Sequence, residues 1–137
     1  MITLLDYFGD FYDSPDATEE RKENAERLLD ACSDLEAMAR AAGVKFQVNP
    51  KIGSQVSGET YGGFRPQTCK IGAAHSAHKE GLAVDIYDPD GDIDAWCMAH
   101  QNLLAQCKIY IESPDATPGW SHWSIRAPGS GNRVFRP

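Results

Sequence analysis

Apolar residues recur at alternating steps of three and four between Asp16 and Ala42. They are Ala25, Leu28, Cys32, Leu35, Ala39 and Ala42, and acidic and basic side chains fill most positions between them. The spacing predicts one long amphipathic helix over about residues 16–42. Ser14 followed by Pro15 is suited to start it and Gly43 to stop it. A period of two takes over at Val44, Phe46 and Val48, as in a half-buried strand that Asn49 and Pro50 break. From Gly53 to Gly72 neither period persists. Gly, Ser and Thr are frequent there, and loops of that length in a small domain usually carry function.

Leu82 to Tyr87 is an apolar run followed by the turn-forming DPDGD, which predicts a central strand leaving the core. Asp92 is placed to cap a second helix reaching about Gln106, with Ile93, Trp96, Cys97, Leu103 and Leu104 on its apolar side. Ile109 to Glu112 and Trp120 to Arg126 predict two strands, an antiparallel hairpin around the loop SPDATPG. Helices and antiparallel strands mix without regular βαβ alternation, so the expected class is α+β: a small antiparallel sheet flanked by helices.

The 137 residues suit one domain, 1–137, able to bury a single core, and no repeats interrupt it. With 20 acidic against 13 basic side chains the net charge is -7, a field that repels a phosphate backbone and argues against nucleic acid as a partner. No apolar run approaches a membrane span. The opening MITLLDYFGD has Asp6 and Asp10 where a signal peptide needs positive charge, so synthesis in the cytoplasm is expected. Cys32, Cys69, Cys97 and Cys107 form no C-x-x-C pair and lie ten or more residues apart, which suits reduced, mostly buried thiols better than a thiolate metal site. A monomer is expected.

Chemistry concentrates in SAHKEGLAVD, where His78 and Asp85 stand seven residues apart across Gly81 and enter the predicted central strand. Both are potential zinc ligands. A catalytic zinc site takes three nitrogen or oxygen ligands and leaves a fourth position to water, so a third must come from elsewhere. His122 in PGWSHWS is the best candidate, because strand alternation puts Trp120, His122 and Ser124 on one face and Trp123 on the other. Gly81 is expected to turn the chain without blocking the metal.

Glu112 closes the strand expected to pair with that of His122, where a carboxylate beside an attacking water is placed as general base. Asp115, three residues on, competes for the role. Arg65, in YGGFRPQT, can grip a substrate carboxylate or a developing oxyanion, and Ser76 can donate to substrate or brace a ligand. His75 and His100 are expected outside the site. DPDGDID resembles a calcium loop only superficially, since its glycine is fourth instead of sixth and position twelve is Ala99.

These segments carry a family resemblance. SAHKEGLAVD resembles the S-x-H-x-x-G-x-A-x-D signature of the M15 peptidases, the zinc D-Ala-D-Ala carboxypeptidases and the related phage and bacterial wall endopeptidases. GWSHWSIR resembles their W-x-H segment, GGFRPQT their G-[YF]-R-P loop, and APGSGNRVFRP the tail of phage-type members. The first three occur in the family's order over about residues 53–126. The resemblance implies a Hedgehog/DD-peptidase-like fold with one zinc on His78, Asp85 and His122, a substrate-binding Arg65 and an acid/base at Glu112. The chain departs from several members at Gly119, where those carry the catalytic acid.

The implied function is hydrolysis of peptidoglycan stem peptides, either at D-Ala-D-Ala or at an L-Ala-D-Glu bond. The expected setting is a phage or prophage endolysin that reaches the wall after a separate holin opens the membrane. The second class is a zinc-bearing wall-binding or phage tail component with little turnover, an architecture the Hedgehog signalling domain illustrates. Glu112 and Arg65 favour the enzyme.

Overall fold

The structure is a computed structural model describing residues 1–137. Four helices, α1 (Leu4–Phe8), α2 (Glu19–Ala41), α3 (Asp92–Ala99) and α4 (Gln101–Cys107), accompany four strands, β1 (Ala83–Tyr87), β2 (Tyr110–Glu112), β3 (Trp120–Ser124) and β4 (Val134–Phe135). The class is α+β, as expected, but the sheet is mixed. Its order is β1-β3-β2-β4; β1 and β2 flank β3 antiparallel, whereas β4 runs parallel to β2. A two-residue parallel strand leaves no period to read in sequence, which is why an all-antiparallel sheet was the expectation.

The long helix forms, with Ala25, Leu28, Leu29, Cys32, Leu35 and Ala39 buried along one side. Its start differs: the Thr18 side chain accepts a hydrogen bond from the Arg21 amide and caps the first turn, and Ser14 and Pro15 lie in the preceding turn. The segment around Val44, Phe46 and Val48 forms no strand. It has no ladder partner; Phe46 packs edge-on against Trp123 while Val48 stays 58% exposed. The second helix breaks at His100 into α3 and α4, and the cap at its start is Asp88, whose carboxylate accepts from the Ile93 and Asp94 amides. The DPDGDID segment is thus a turn and helix cap.

Helix α1 was not expected. Thr3 and Asp6 close a capping box around it, and it delivers Tyr7 and Phe8 to the core. The Tyr7 hydroxyl donates to the Ala83 carbonyl at 2.9 Å, fixing α1 to the start of β1. Gly63 presses against the same helix so closely that a Cβ there would lie 2.0 Å from the Tyr7 carbonyl oxygen. No helix is long and apolar enough to cross a membrane. All four cysteines are free; Cys32 and Cys97 are buried, and Cys69 and Cys107 half-buried.

Sheet register sorts core from cleft. Val84 and Ile111 both face Trp123 across their ladders, Val134 pairs with Ile111, and the first three of these side chains are fully buried. One residue on, every side chain points to the opposite face, and there the register pairs Asp85 with His122 and Glu112 with Phe135.

Candidate functional site

Asp85, His122, Glu112 and Phe135 form a row across the four strands. His122 lies between the two carboxylates, its Nδ1 2.8 Å from Asp85 Oδ1 and 4.0 Å from Glu112 Oε2. His78 reaches the row from a short 3-10 turn, Ala77–Glu80, leading into β1, and its Nε2 lies 3.3 Å from Asp85 Oδ1. The three donor atoms of His78, Asp85 and His122 fall within 4.8 Å of one another, a group that can hold a metal ion.

Surrounding groups fix the tautomer and charge of these side chains. His78 Nδ1 lies 2.8 Å from the Gly63 carbonyl oxygen, which it can meet only as a donor, so Nε2 carries the lone pair. Burial lowers the His78 pKa and outweighs the opposing pull of Asp85, which favours the neutral, ligating imidazole. For Asp85 burial acts upward, but the imidazoles of His78 and His122, by charge when protonated and by hydrogen bonds, prevail and hold its carboxyl well below the usual carboxylate range. Its second oxygen, Oδ2, accepts from the Arg65 guanidinium at 3.3 Å. Asp85 therefore meets the histidines through one oxygen and Arg65 through the other.

The two turns beside the site follow from local sequence. Ser76 caps the Ala77–Glu80 turn by accepting from the His78 amide, which fixes the turn that carries His78. Gly81 ends the turn at φ 76°, and a Cβ there would lie 2.4 Å from the Arg21 carbonyl oxygen of α2. Contact with that helix, not clearance around the metal, explains this glycine.

Arg65 is more committed than the sequence suggested. Besides Asp85, it donates through Nε to the Tyr61 carbonyl at 2.9 Å and through Nη1 to the Ile71 carbonyl at 3.3 Å. Glu112 lines the cleft, and burial raises its pKa; the charges of Asp85 and Asp94 push the same way, and those of His122 and Arg65 oppose. Asp115 does not line the cleft: it is exposed, and Ser113 and Arg136 hold its carboxylate. His75 stays out in an exposed loop, and His100 stacks on Trp96 between α3 and α4.

The cleft over the row measures about 530 Å³. Sequence reasoning missed part of its wall: Phe135, edge-on to the His122 ring at 5.9 Å, and Arg126 at the mouth. Parity was a usable signal for Arg126 along the strand expected through that residue, although β3 itself ends at Ser124. Phe135 had none, because β4 is only two residues long. Searches against protein-family models, curated proteins and solved structures found no match to the chain.

Proposed function

We propose that the chain is a zinc peptidase that hydrolyses peptide bonds in peptidoglycan stem peptides, with zinc on His78, Asp85 and His122. The observation that carries the proposal is the single row in which a two-histidine, one-aspartate donor group stands beside Glu112 in an open cleft. Nitrogen and oxygen donors of this kind suit zinc, and ligands on a tetrahedral zinc lie about 3.3 Å apart. His78 Nε2 and Asp85 Oδ1 already have that separation at 3.3 Å. His122 Nδ1, at 2.8 Å from Asp85 Oδ1, needs to retreat by only about 0.5 Å to match it.

Zinc held by His78, Asp85 and His122 would supply Lewis acidity and would lower the pKa of a water beside it. Glu112 takes the proton from that water and passes it to the leaving amine. In the metal-free site burial raises the Glu112 pKa, the direction that suits a carboxylate that must both take and return a proton. Arg65 works chiefly by holding Asp85 in its one-oxygen orientation, and Ser76 by fixing the turn that carries His78.

The resemblance of SAHKEGLAVD, GWSHWSIR and GGFRPQT to the wall peptidases supports the choice of substrate. Digestion of purified muropeptides with and without added zinc, read by mass spectrometry, tests it. Released D-alanine identifies a carboxypeptidase, and a fragment beginning at D-glutamate identifies an endopeptidase. Zinc binding without digestion overturns the enzymatic reading in favour of a wall-binding component.

A further inference from the structure

The molecule carries two guanidinium groups along the cleft, and only one is free. Arg65 spends Nε, Nη1 and Nη2 on Tyr61, Ile71 and Asp85. Arg126 lines the same cleft, yet its side chain has no carboxylate, carbonyl or aromatic partner, although acidic residues outnumber basic ones in the chain by 20 to 13. The neighbouring arginines behave differently: Arg133 lies over the Tyr110 ring and donates to the Ile109 carbonyl, and Arg136 pairs with Asp115.

The backbone beneath Arg126 is fixed although its side chain is exposed. Its amide donates to the buried Ser124 hydroxyl oxygen at 3.0 Å, and that hydroxyl donates to the Arg126 carbonyl at 3.2 Å. The preceding amide, Ile125, is tied to the Leu82 carbonyl at 3.0 Å. An anchored backbone at the end of the strand that bears His122 therefore presents a free cation to the cleft. β3 ends at Ser124 and the chain bends at Ile125 and Arg126; four residues reach at most roughly 13 Å, so Arg126 stands near enough to His122 to meet a residue flanking the reacting bond.

We infer that Arg126 is a specificity-determining residue that binds a carboxylate on a peptide residue flanking the scissile bond. That the ligand is a peptide is taken from the proposed function. A guanidinium fork matches a carboxylate through two parallel hydrogen bonds, and Arg126 gives up no internal partner to form them.

The test compares the full-length zinc-loaded protein with its Arg126→Gln and Arg126→Lys variants on stem peptides. One set keeps all carboxylates free; the others are amidated singly, at a side chain or at the C terminus. Both Kd and the steady-state constants are read. Arg126→Gln should raise Kd and KM for the carboxylate peptide about tenfold with kcat unchanged. One of the two amidations should cost wild type the same factor and cost the glutamine variant nothing, and lysine should restore part of the loss. The site of the sensitive amidation tells a side-chain carboxylate from a terminal one. Equal losses on carboxylate and amide peptides, no loss at all, or a wild type that binds neither peptide would overturn the assignment. Wild type that discriminates in binding but does not cleave refutes the peptidase proposal and leaves the carboxylate site standing.

Discussion

Asp85 of β1 and His122 of β3 are register partners, and the ladder brings Asp85 Oδ1 within 2.8 Å of His122 Nδ1. Two residues far apart in sequence are thus set side by side by backbone hydrogen bonds, which are costly to deform. The same strand turns Trp123 into the core, where its Nε1 donates to the Ser121 hydroxyl. The site inherits the rigidity of the sheet.

Removing a ligand should abolish the metal. His78→Ala and Asp85→Ala are expected to fall from about one zinc per chain to none, since three protein donors are the usual minimum for such a site. Elemental analysis of folded protein, with folding checked by circular dichroism, reads the outcome. Full zinc content in Asp85→Ala would place the metal elsewhere.

Arg65 should matter through Asp85. Gly72 has φ +79°, and a Cβ there would lie 2.6 Å from Arg65 Nη1, so Gly72→Ala pushes the guanidinium off its carboxylate without touching a ligand. Loss of a group that orients a ligand typically weakens metal affinity about 10- to 100-fold. Competition with a chromophoric chelator measures it, and affinity equal to wild type would remove Arg65 from that role.

Asp94 supplies a pH test of the scaffold. It is buried; Oδ2 accepts from the Thr117 hydroxyl at 2.8 Å. Burial, helped by the charge of Asp88, raises its pKa above the unfolded value against the opposing hydrogen bonds of Ser121 and Thr117 and the charge of His122. A raised acid contributes stability below its unfolded pKa and loses that contribution as pH rises through the folded one. Asp94→Asn should therefore be more stable than wild type near pH 7, by about 1 kcal/mol, with the gap closing as pH falls toward 4. Urea denaturation at both pH values checks this; a gap that widens in acid would contradict it.

Legibility in the sequence tracked how many residues enforced each feature. Helix α2 and strands β1 and β3 were readable because burial repeats along them: Leu28 and Leu35 on the helix, Val84 and Ile86 on β1, Trp123 on β3. The His78, Asp85 and His122 group was readable because all three lie on or beside those strands. Helix α1 is only five residues long, and its one signal was the Thr3–Asp6 capping box in TLLD. The alternation at Val44, Phe46 and Val48 was a true pattern without a partner strand, so Phe46 found the core and Val48 did not. Arg65 looked free because its partners, the carbonyls of Tyr61 and Ile71, are backbone groups that sequence does not display.

In the proposed hydrolytic site Glu112 moves the proton beside zinc held by His78, Asp85 and His122. Glu112→Gln tests it most directly, because the amide keeps the shape and cannot act as the base. Zinc content and muropeptide turnover should be measured on one preparation. The expected result is about one zinc per chain, as in wild type, and turnover reduced by a factor of about 100 or more. Turnover equal to wild type, or a wild-type protein that carries no zinc, would contradict it.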